Sequence, residues 1–294
     1  MTEPSIGSTV PRRQLGRHLR ELRNRSRLTV RAAARELEWS EAKLWRIETG
    51  QVSLRSHDVE TMCKVYGAPV DLADALKGLA KETKARGWWH AYGDVIPRDF
   101  DIFIGLEGAA ASLHQYINDL VPGLVQTEDY ARALIQEDNP DVERDEIERR
   151  VHVRLARQEL LTRVTNPPTL ELAISEAVLR QPVGGPEVMG RQLNRLAETM
   201  ELPNVSLRVV PFTAGLHHGL MSGPFTMLRF PLNADGSPTE PPTVYMDGFV
   251  GDLYLDKPHE VERYDQAFTS IWSAALDGKD TLSILRQAAK EFSQ

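Results

Sequence analysis

Apolar residues near the start of the chain recur every three or four positions, the spacing of one face of an α-helix. From Gln14, Leu15, Leu19 and Leu22 share such a face, and arginines surround it. A second, alanine-rich run, VRAAAREL, follows Thr29, whose hydroxyl can accept a bond from a free first-turn N–H. The pattern predicts two helices joined by a short turn.

The stretch EWSEAKLWRIETGQ predicts a third helix, from Glu41 to Glu48. Ser40 is placed to cap its start, and Gly50 is placed to end it in the left-handed conformation. Two apolar residues are expected to face inward: Leu44 and Ile47. A capped helix that follows a helix and a short turn is the helix-turn-helix arrangement of DNA-binding proteins.

Two more helices complete the predicted head. Ser56 is expected to cap the fourth, HDVETMCKVYG, and Pro69 and Asp71 open a fifth that runs to about Arg86. Residues 12–86 therefore read as an all-α five-helix DNA-binding domain. Residues 1–11 have no apolar core after a basic segment, so we expect a disordered lead-in and no secretory signal.

The remaining chain mixes helical and alternating patterns and predicts an α+β domain over residues 102–294, with a mainly antiparallel sheet. The helical segments are GLEGAAASLHQYI, TEDYARALIQ capped by Thr127, DVERDEIERRVHVRLARQELLTR, GPEVMGRQLNRLAETM, PHEVERYDQAFTSIWSAAL and TLSILRQAAKEF. The strands are TLELAISE, VSLRVVP, GPFTMLRF, PTVYMDG and GDLYLD. We expect the last three strands to form an antiparallel meander.

Residues 87–101 join the two predicted domains. Four aromatic residues lie there: Trp88, Trp89, Tyr92 and Phe100. A solvated linker is rarely so aromatic, so we expect a packed junction.

Charge is distributed unevenly over the 294 residues. Residues 1–86 contain 17 Lys and Arg against 11 Asp and Glu, whereas the rest contains 18 against 31. A basic head on an acidic body suggests that only the head meets a polyanion such as DNA. The apolar runs are too short to cross a membrane, and the single cysteine, Cys63, excludes an intrachain disulfide. We expect a cytoplasmic protein, with Cys63 in the core.

The head also resembles a known family. LGRHLRELRNRSRLTVRAAARELEWSEAKLWRIETGQ, with its S-x-x-K-L-x-R-I-E-x-G core, is similar to the Xre-type, lambda-repressor-like DNA-binding domain over residues 14–67. The resemblance implies that four residues face bases: Ser40, Glu41, Ala42 and Arg46. It places three more near the DNA backbone or groove edge: Arg31, Lys43 and Arg55. It further implies a scaffold ion pair between Arg23 and Glu48.

Some of these positions have a second interpretation. Val30 stands where the family often has Gln after Thr, so the second helix lacks a usual contact. Arg46 is either a base contact or a solvated residue, and Glu41 either reads cytosine or contributes nothing. Trp45 is expected to pack against a neighbouring element or a dimer partner rather than to stack on bases.

The body resembles the C-terminal domain of actinobacterial WhiJ-like, or Scr-type antitoxin-like, regulators. Four segments carry the resemblance: VPGLVQTEDYARAL, ISEAVLRQPVGGPEVMGRQLNRL, LRVVPFTAGLHHGLMSGPFTMLRF and VYMDGFVGDLYLD. The resemblance implies a transcriptional regulator that is often encoded beside a small acidic partner protein, and it supplies no ligand.

An enzymatic body is not expected. The sequence has no Walker loop, GxGxxG, GxSxG or HExxH motif, and the side chains of adjacent His217 and His218 would diverge in a loop. Three isolated acids are expected to be caps or core hydrogen-bond partners: Glu107, Glu176 and Asp247. The aromatic residues of the body either line a pocket or, as alternating strand residues, form core. We expect no catalytic residue, metal or cofactor.

The sequence therefore predicts a DNA-binding transcription regulator. We expect a homodimer on a palindromic operator of double-stranded DNA, because single domains of this type bind as two-fold pairs. The body is expected to mediate dimerisation and to bind a partner protein or signal. Two alternatives remain: an antitoxin-like protein that mainly neutralises a small partner, and a repressor that senses a small ligand.

Overall fold

A computed structural model of the chain describes residues 9–83, 92, 96, 98–233, 236–249 and 251–292. The chain divides into two compact units. The first comprises Met1–Ala91 with Asp101–Ala109, and the second comprises Tyr92–Phe100 with Ala110–Gln294. Within the described ranges, none of the helices is both long and apolar enough to cross a membrane.

The first unit begins with the five predicted helices. Their bounds are α1 Thr9–Arg25, α2 Val30–Glu36, α3 Glu41–Glu48, α4 Ser56–Val65 and α5 Val70–Glu82. One apolar core joins them, and it includes the predicted face of α1, both inward residues of α3, and Cys63. The all-α head is therefore confirmed.

Three helix limits differ from the sequence-based expectation. Helix α1 already starts at Thr9, and Pro11 lies in its first turn, where proline is tolerated. Residues 9–11 are thus helical and not a disordered lead-in. Ser56 is the first helical residue of α4, and Arg55 occupies the cap position. Helix α5 ends at Glu82, whereas the prediction ran to about Arg86.

Helices α1 to α4 all end in the same backbone arrangement. The residue after each C-cap has a left-handed φ: 58° at Arg27, 56° at Glu38, 74° at Gly50 and 67° at Gly67. Two successive N–H groups then bond back to carbonyls of the last helical turn, the Schellman pattern. The predicted role of Gly50 is confirmed. Arg27 and Glu38 occupy a conformation that disfavours residues with a side chain.

The second unit is built on a six-stranded sheet. Its strands are β1 Ser112–Ile117, β2 Thr169–Ser175, β3 Val205–Val210, β4 Phe225–Arg229, β5 Thr243–Met246 and β6 Leu253–Leu255. The order is β3-β2-β1-β4-β5-β6. β1 pairs with β2, and β2 with β3, in parallel, while the other three pairs are antiparallel. This confirms an α+β domain with a mainly antiparallel sheet and the predicted meander of β4, β5 and β6.

One element of the body was predicted wrongly. The segment GLEGAAASLHQYI was expected to be a single helix, but only its first part belongs to helix α6, Arg98–Ala109. Its second part is β1, an inner strand of the sheet. The alanine run favours helix locally, whereas pairing of β1 with strands on both sides decides the outcome.

Helices cover the sheet and close its edge. They are α7 Glu128–Asp138, α8 Arg144–Gln158, α9 Pro186–Thr199, α10 Gly219–Ser222, α11 Pro258–Ala274 and α12 Gly278–Glu291. The outer strand β3 would otherwise leave backbone groups unpaired. The N–H of Val209 donates to Thr281 Oγ1 at 3.1 Å, and its carbonyl accepts from the N–H of Leu276 at 2.8 Å. The C-terminal helices thus protect the edge of the sheet.

A buried polar network fixes the loop Val121–Gln126. Gln192, fully buried on α9, accepts from the N–H of Thr127 at 2.7 Å and donates to the Val125 carbonyl at 2.8 Å. Gln158 on α8 donates to the Gly123 and Gln126 carbonyls at 3.0 and 2.8 Å. Buried backbone groups need such partners, and these bonds connect the loop to α8 and α9.

The junction is described only in part. Trp88 and Trp89 lie outside the described residues. The Tyr92 ring lies 5.7 Å from that of His152, and the Arg157 guanidinium lies 4.7 Å from the Phe100 ring. Residues Asp101–Ala109 belong to the first compact unit, and Arg12 of that unit pairs with Asp101 at 3.4 Å. The sequence-based prediction instead placed residues from 102 onward in the α+β domain.

Candidate nucleic-acid interface

Helix α3 is held in place by its caps and its apolar face. Ser40 Oγ accepts a hydrogen bond from the N–H of Lys43 at 3.1 Å, and Thr29 caps α2 in the same way. Leu44 and Ile47 are buried in the head core. Both caps and both inward residues match the prediction, and the opposite side of α3 is left facing outward.

Two glycines allow α1 to approach the end of α3 closely. A Cβ on Gly16 would lie 2.5 Å from the Ile47 carbonyl oxygen and 2.9 Å from that of Glu48. A Cβ on Gly50 would lie 2.8 Å from Arg13 Cα. Real Cβ atoms do not approach backbone so closely, so both positions need glycine. The orientation of α3 is therefore set by backbone contact with α1.

A buried ion pair braces the same contact. Arg23 Nε donates to Glu48 Oε1 at 2.6 Å, and its second nitrogen donates to Oε2 at 2.8 Å. Both side chains are at least nine-tenths buried, and the hydrogen bond to Glu48 raises the pKa of Arg23. Arg20 adds a bond to the Glu48 carbonyl at 3.0 Å. The pair that the resemblance implied is present, and α1 carries both arginines.

The four residues predicted to face bases lie together. Ser40, Glu41, Ala42 and Arg46 are all exposed, at the start and along the outer side of α3. Arg46 lies back along its own helix, where Nε donates to the Ala42 carbonyl at 3.3 Å. All four are therefore accessible to the base edges of a DNA major groove.

A cleft of about 540 Å³ opens between α2 and the start of α3. Arg31 and Arg35 line it on one side, and Trp39, Ser40 and Glu41 line it on the other. Arg31 was predicted to lie near the DNA backbone, whereas Arg35 was not singled out. Both arginines are exposed, so their side of the cleft is cationic, whereas Glu41 places a carboxylate on the other side.

The other two predicted backbone contacts differ from each other. Lys43 is half-buried, and its Nζ lies 3.5 Å from the centre of the Trp39 ring. Arg55 is exposed at the start of α4, and its N–H donates to the Asp58 carboxylate at 3.4 Å. The structure thus places Arg31, Lys43 and Arg55 on α2, on α3 and before α4.

Trp45 is a large apolar residue on the outer side of α3. It is 54 % exposed. Its expected contact with a neighbouring element or a dimer partner stays a prediction. Tyr66, in contrast to Trp45, is buried. Its hydroxyl has no hydrogen-bond partner among the described residues, and burial raises the pKa of Tyr66.

The candidate chemical groups of the body remain apart. His217 Nδ1 accepts from the N–H of Gly219 at 3.1 Å, whereas His218 Nδ1 lies 2.9 Å from Ser270 Oγ. Glu176 accepts from the N–H of Phe212 and from Arg180, both at 3.0 Å. The described ranges contain no group of three His, Cys, Asp or Glu residues that could hold a metal.

The other body candidates are mostly interior. Glu107 is 2 % exposed, whereas Asp247 lies on the surface. Of the aromatic candidates, the buried ones are Tyr116, Tyr130, Phe225 and Tyr245. Tyr254 and Trp272 are half-buried, and Phe249 is fully exposed. Most of these rings therefore belong to the core.

One surface of the body was not found from the sequence. The segment between β3 and β4 exposes four large apolar side chains: Phe212 by 63 %, Leu216 by 82 %, Leu220 by 62 % and Met221 by 68 %. We call these four residues the apolar loop surface. Its sequence signal was an apolar run interrupted by glycines, without helical or strand periodicity. Exposed apolar side chains so close together are typical of an interaction site.

Comparison with known protein families gives one match in the head and a second match in the body. Residues 14–76 match a family described as "Helix-turn-helix domain". Residues 100–287 match a family described as "Domain of unknown function (DUF5753)", and the chain belongs to this second family. Comparison with curated proteins and with solved structures finds no match.

Proposed function

We propose that this chain, a DUF5753 family member with an N-terminal helix-turn-helix domain, is a sequence-specific transcriptional regulator of the Xre-like type. The helix-turn-helix match supports DNA as its partner. The observation that carries the proposal is the outer surface of α3. Four exposed residues lie there beside a cleft that Arg31 and Arg35 line, and the buried Arg23–Glu48 pair holds the helix against α1.

The mechanism divides the work between two kinds of contact. Cationic side chains on the edge of the site, Arg31, Lys43 and Arg55, attract phosphates and set the register of the head on the duplex. Arg46 is suited to guanine, because a guanidinium can donate two bonds to the O6 and N7 atoms of that base. Ser40 and Glu41, at the start of α3, would contact neighbouring base edges. Binding needs no chemical step, and we propose no enzymatic activity.

We further propose that the body brings two copies together and binds a partner or signal. One head offers a small interface, whereas two heads on a palindromic operator double the contact area. The apolar loop surface supports an interaction role, because burying such side chains yields about 25 cal/mol per Å². A change in the spacing of the two heads would then alter operator affinity.

DNA binding is tested with the duplex that lies directly upstream of the gene. The full chain should bind it, and the logarithm of the binding constant should fall linearly with the logarithm of salt, by about 0.9 per phosphate contact. Binding without salt dependence, or no binding, would refute the proposal. A chain that binds no DNA but holds a small neighbouring protein would support the antitoxin-like alternative.

Dimerisation is tested by sedimentation with and without DNA. Leu216→Glu places a charge on the apolar loop surface and should yield monomers if that surface joins two copies. Val164→Glu is the matched control, because Val164 is 99 % exposed outside this surface. A wild-type chain that stays monomeric on DNA would remove the dimer claim. If Leu216→Glu did not affect the dimer, the apolar loop surface would not join the two copies and would instead be expected to bind a partner protein.

A further inference from the structure

The Lys43 side chain is not a free cation on the DNA-facing surface. Its ammonium lies 3.5 Å from the centre of the Trp39 ring, within cation–π distance. Lys43 is half-buried, whereas Ser40, Glu41, Ala42 and Arg46 around it are exposed. A lysine side chain normally samples many rotamers. The contact with Trp39 restricts the rotamers of Lys43, which the proposed function places at the groove edge.

The backbone around Trp39 fixes the ring that Lys43 meets. The N–H of Trp39 donates to the Ala34 carbonyl at 2.8 Å, and that of Glu38 donates to Arg35 at 3.1 Å. The Trp39 side chain packs, half-buried, against the head core. Ser40 follows and caps α3 by accepting from Lys43 N–H. The turn between α2 and α3 therefore fixes the positions of both the Trp39 ring and the start of the helix that carries Lys43.

We infer that Trp39, which lines the α2–α3 cleft, is a positioning residue for DNA binding: its ring holds the Lys43 ammonium in place to receive a phosphate. The ring occupies one side of the ammonium and leaves N–H donors for phosphate oxygens on the other. A cation that is already placed loses less conformational freedom on binding. The inference rests on the proposed function and adds a residue to it.

A purely structural Trp39 would behave differently from a positioning residue. If Trp39 only filled the core, replacing it would lower affinity without changing how many phosphates are contacted. If it positions Lys43, its loss should reproduce the loss of Lys43. The salt dependence of binding separates these two cases, because each phosphate contact contributes about 0.9 to its slope.

The experiment compares four forms of the full chain: wild type, Lys43→Gln, Trp39→Leu and the double variant. The probe is a mixed-sequence duplex about two helical turns long, titrated between about 50 and 300 mM salt. Leucine keeps apolar contact with the core but has no π face. Trp39→Phe retains a weaker π face and should restore part of the effect. Lys64→Gln, which removes an exposed charge on α4, is the matched charge control.

We expect Lys43→Gln to reduce the slope by about 0.9 for each head bound, which is about 1.8 for a dimer, and to reduce the affinity about threefold or more. Trp39→Leu should lose most of the same slope, and the double variant should lose no more than Lys43→Gln. Circular dichroism should show an unchanged helix content in all forms. An unchanged slope in Trp39→Leu, or additive losses in the double variant, would overturn the inference. Failure of the wild type to bind would refute the proposed function instead.

Discussion

Arg23 and Glu48 form a two-point ion pair, at 2.6 and 2.8 Å, that joins the first helix of the head to the end of the third. Both side chains are buried, so neither charge can be satisfied by water once its partner is lost. Breaking such a pair costs far more than its net contribution to stability, because a charge is left buried alone.

Glu48→Leu should therefore lower the free energy of unfolding of the head by about 3–5 kcal/mol. Urea unfolding, followed by hydrogen exchange of the α3 amides, measures the change. Glu36→Gln is the control, because its pairing with Arg35 at 3.9 Å is exposed and is worth less than about 1 kcal/mol. Equal losses in the two variants would contradict the bracing role of the pair.

Glu38 occupies the left-handed conformation at φ 56° in the turn before α3. Glycine adopts this conformation without a steric penalty, so Glu38→Gly should raise the free energy of unfolding by about 0.5–1 kcal/mol. Glu36→Gly, two residues earlier in α2, should lower it by about 1 kcal/mol, because glycine weakens a helix. Thermal unfolding distinguishes the two, and a loss of stability in both would show that the Glu38 conformation is not strained.

Gly16 lies where α1 meets the end of α3, and a Cβ there would clash with the Ile47 carbonyl oxygen. Gly16→Ala should cost about 1–3 kcal/mol and should shift α3, which would weaken DNA binding as well. Gly78→Ala is the matched control, because a Cβ on Gly78 in α5 meets open space. Alanine should stabilise that helix by up to about 1 kcal/mol. Stabilisation by Gly16→Ala would contradict the close helix contact.

His114 makes the body sensitive to acid. Burial lowers the pKa of His114, which stacks at 4.9 Å on Phe268 and faces Glu171. The unfolded chain binds a proton near the ordinary pKa of about 6.5, whereas the folded chain resists it. Stability is therefore full above that value and falls as pH decreases through it.

The test compares the midpoint of thermal unfolding, Tm, at about pH 7.5 and pH 5.5. His114→Gln should shrink the acid-induced decrease in Tm, whereas His259→Gln, at an exposed position on α11, should leave it unchanged. Part of the decrease should persist, because burial also lowers the pKa of His217. An undiminished decrease in His114→Gln would refute this assignment.

Local signals explain why much of the head was predictable. The caps Thr29 and Ser40, and the left-handed Gly50, are each recognisable within a few residues. The residues that form hydrogen bonds with these caps lie only three positions further along the chain. The left-handed positions Arg27 and Glu38 carry no such signal, because neither is a glycine.

The body was less predictable because its decisive contacts are distant in sequence. β1 is a strand because Leu113 and Gln115 pair with β2 on one side and β4 on the other, more than fifty residues away. The apolar loop surface was missed because exposure cannot be read from a glycine-interrupted run. Trp39 and Lys43 are four residues apart, but only the turn between them shows that the ring meets the ammonium.

The central claim is that the outer side of α3 reads a DNA sequence. Selection from a pool of random duplexes, followed by affinity measurement on the selected site, tests it most directly. We predict that the wild type enriches a two-fold symmetric site and that Arg46→Ala binds it at least about tenfold more weakly, with unchanged helix content. Enrichment of no common sequence, or equal affinity of Arg46→Ala for the selected site, would contradict the claim.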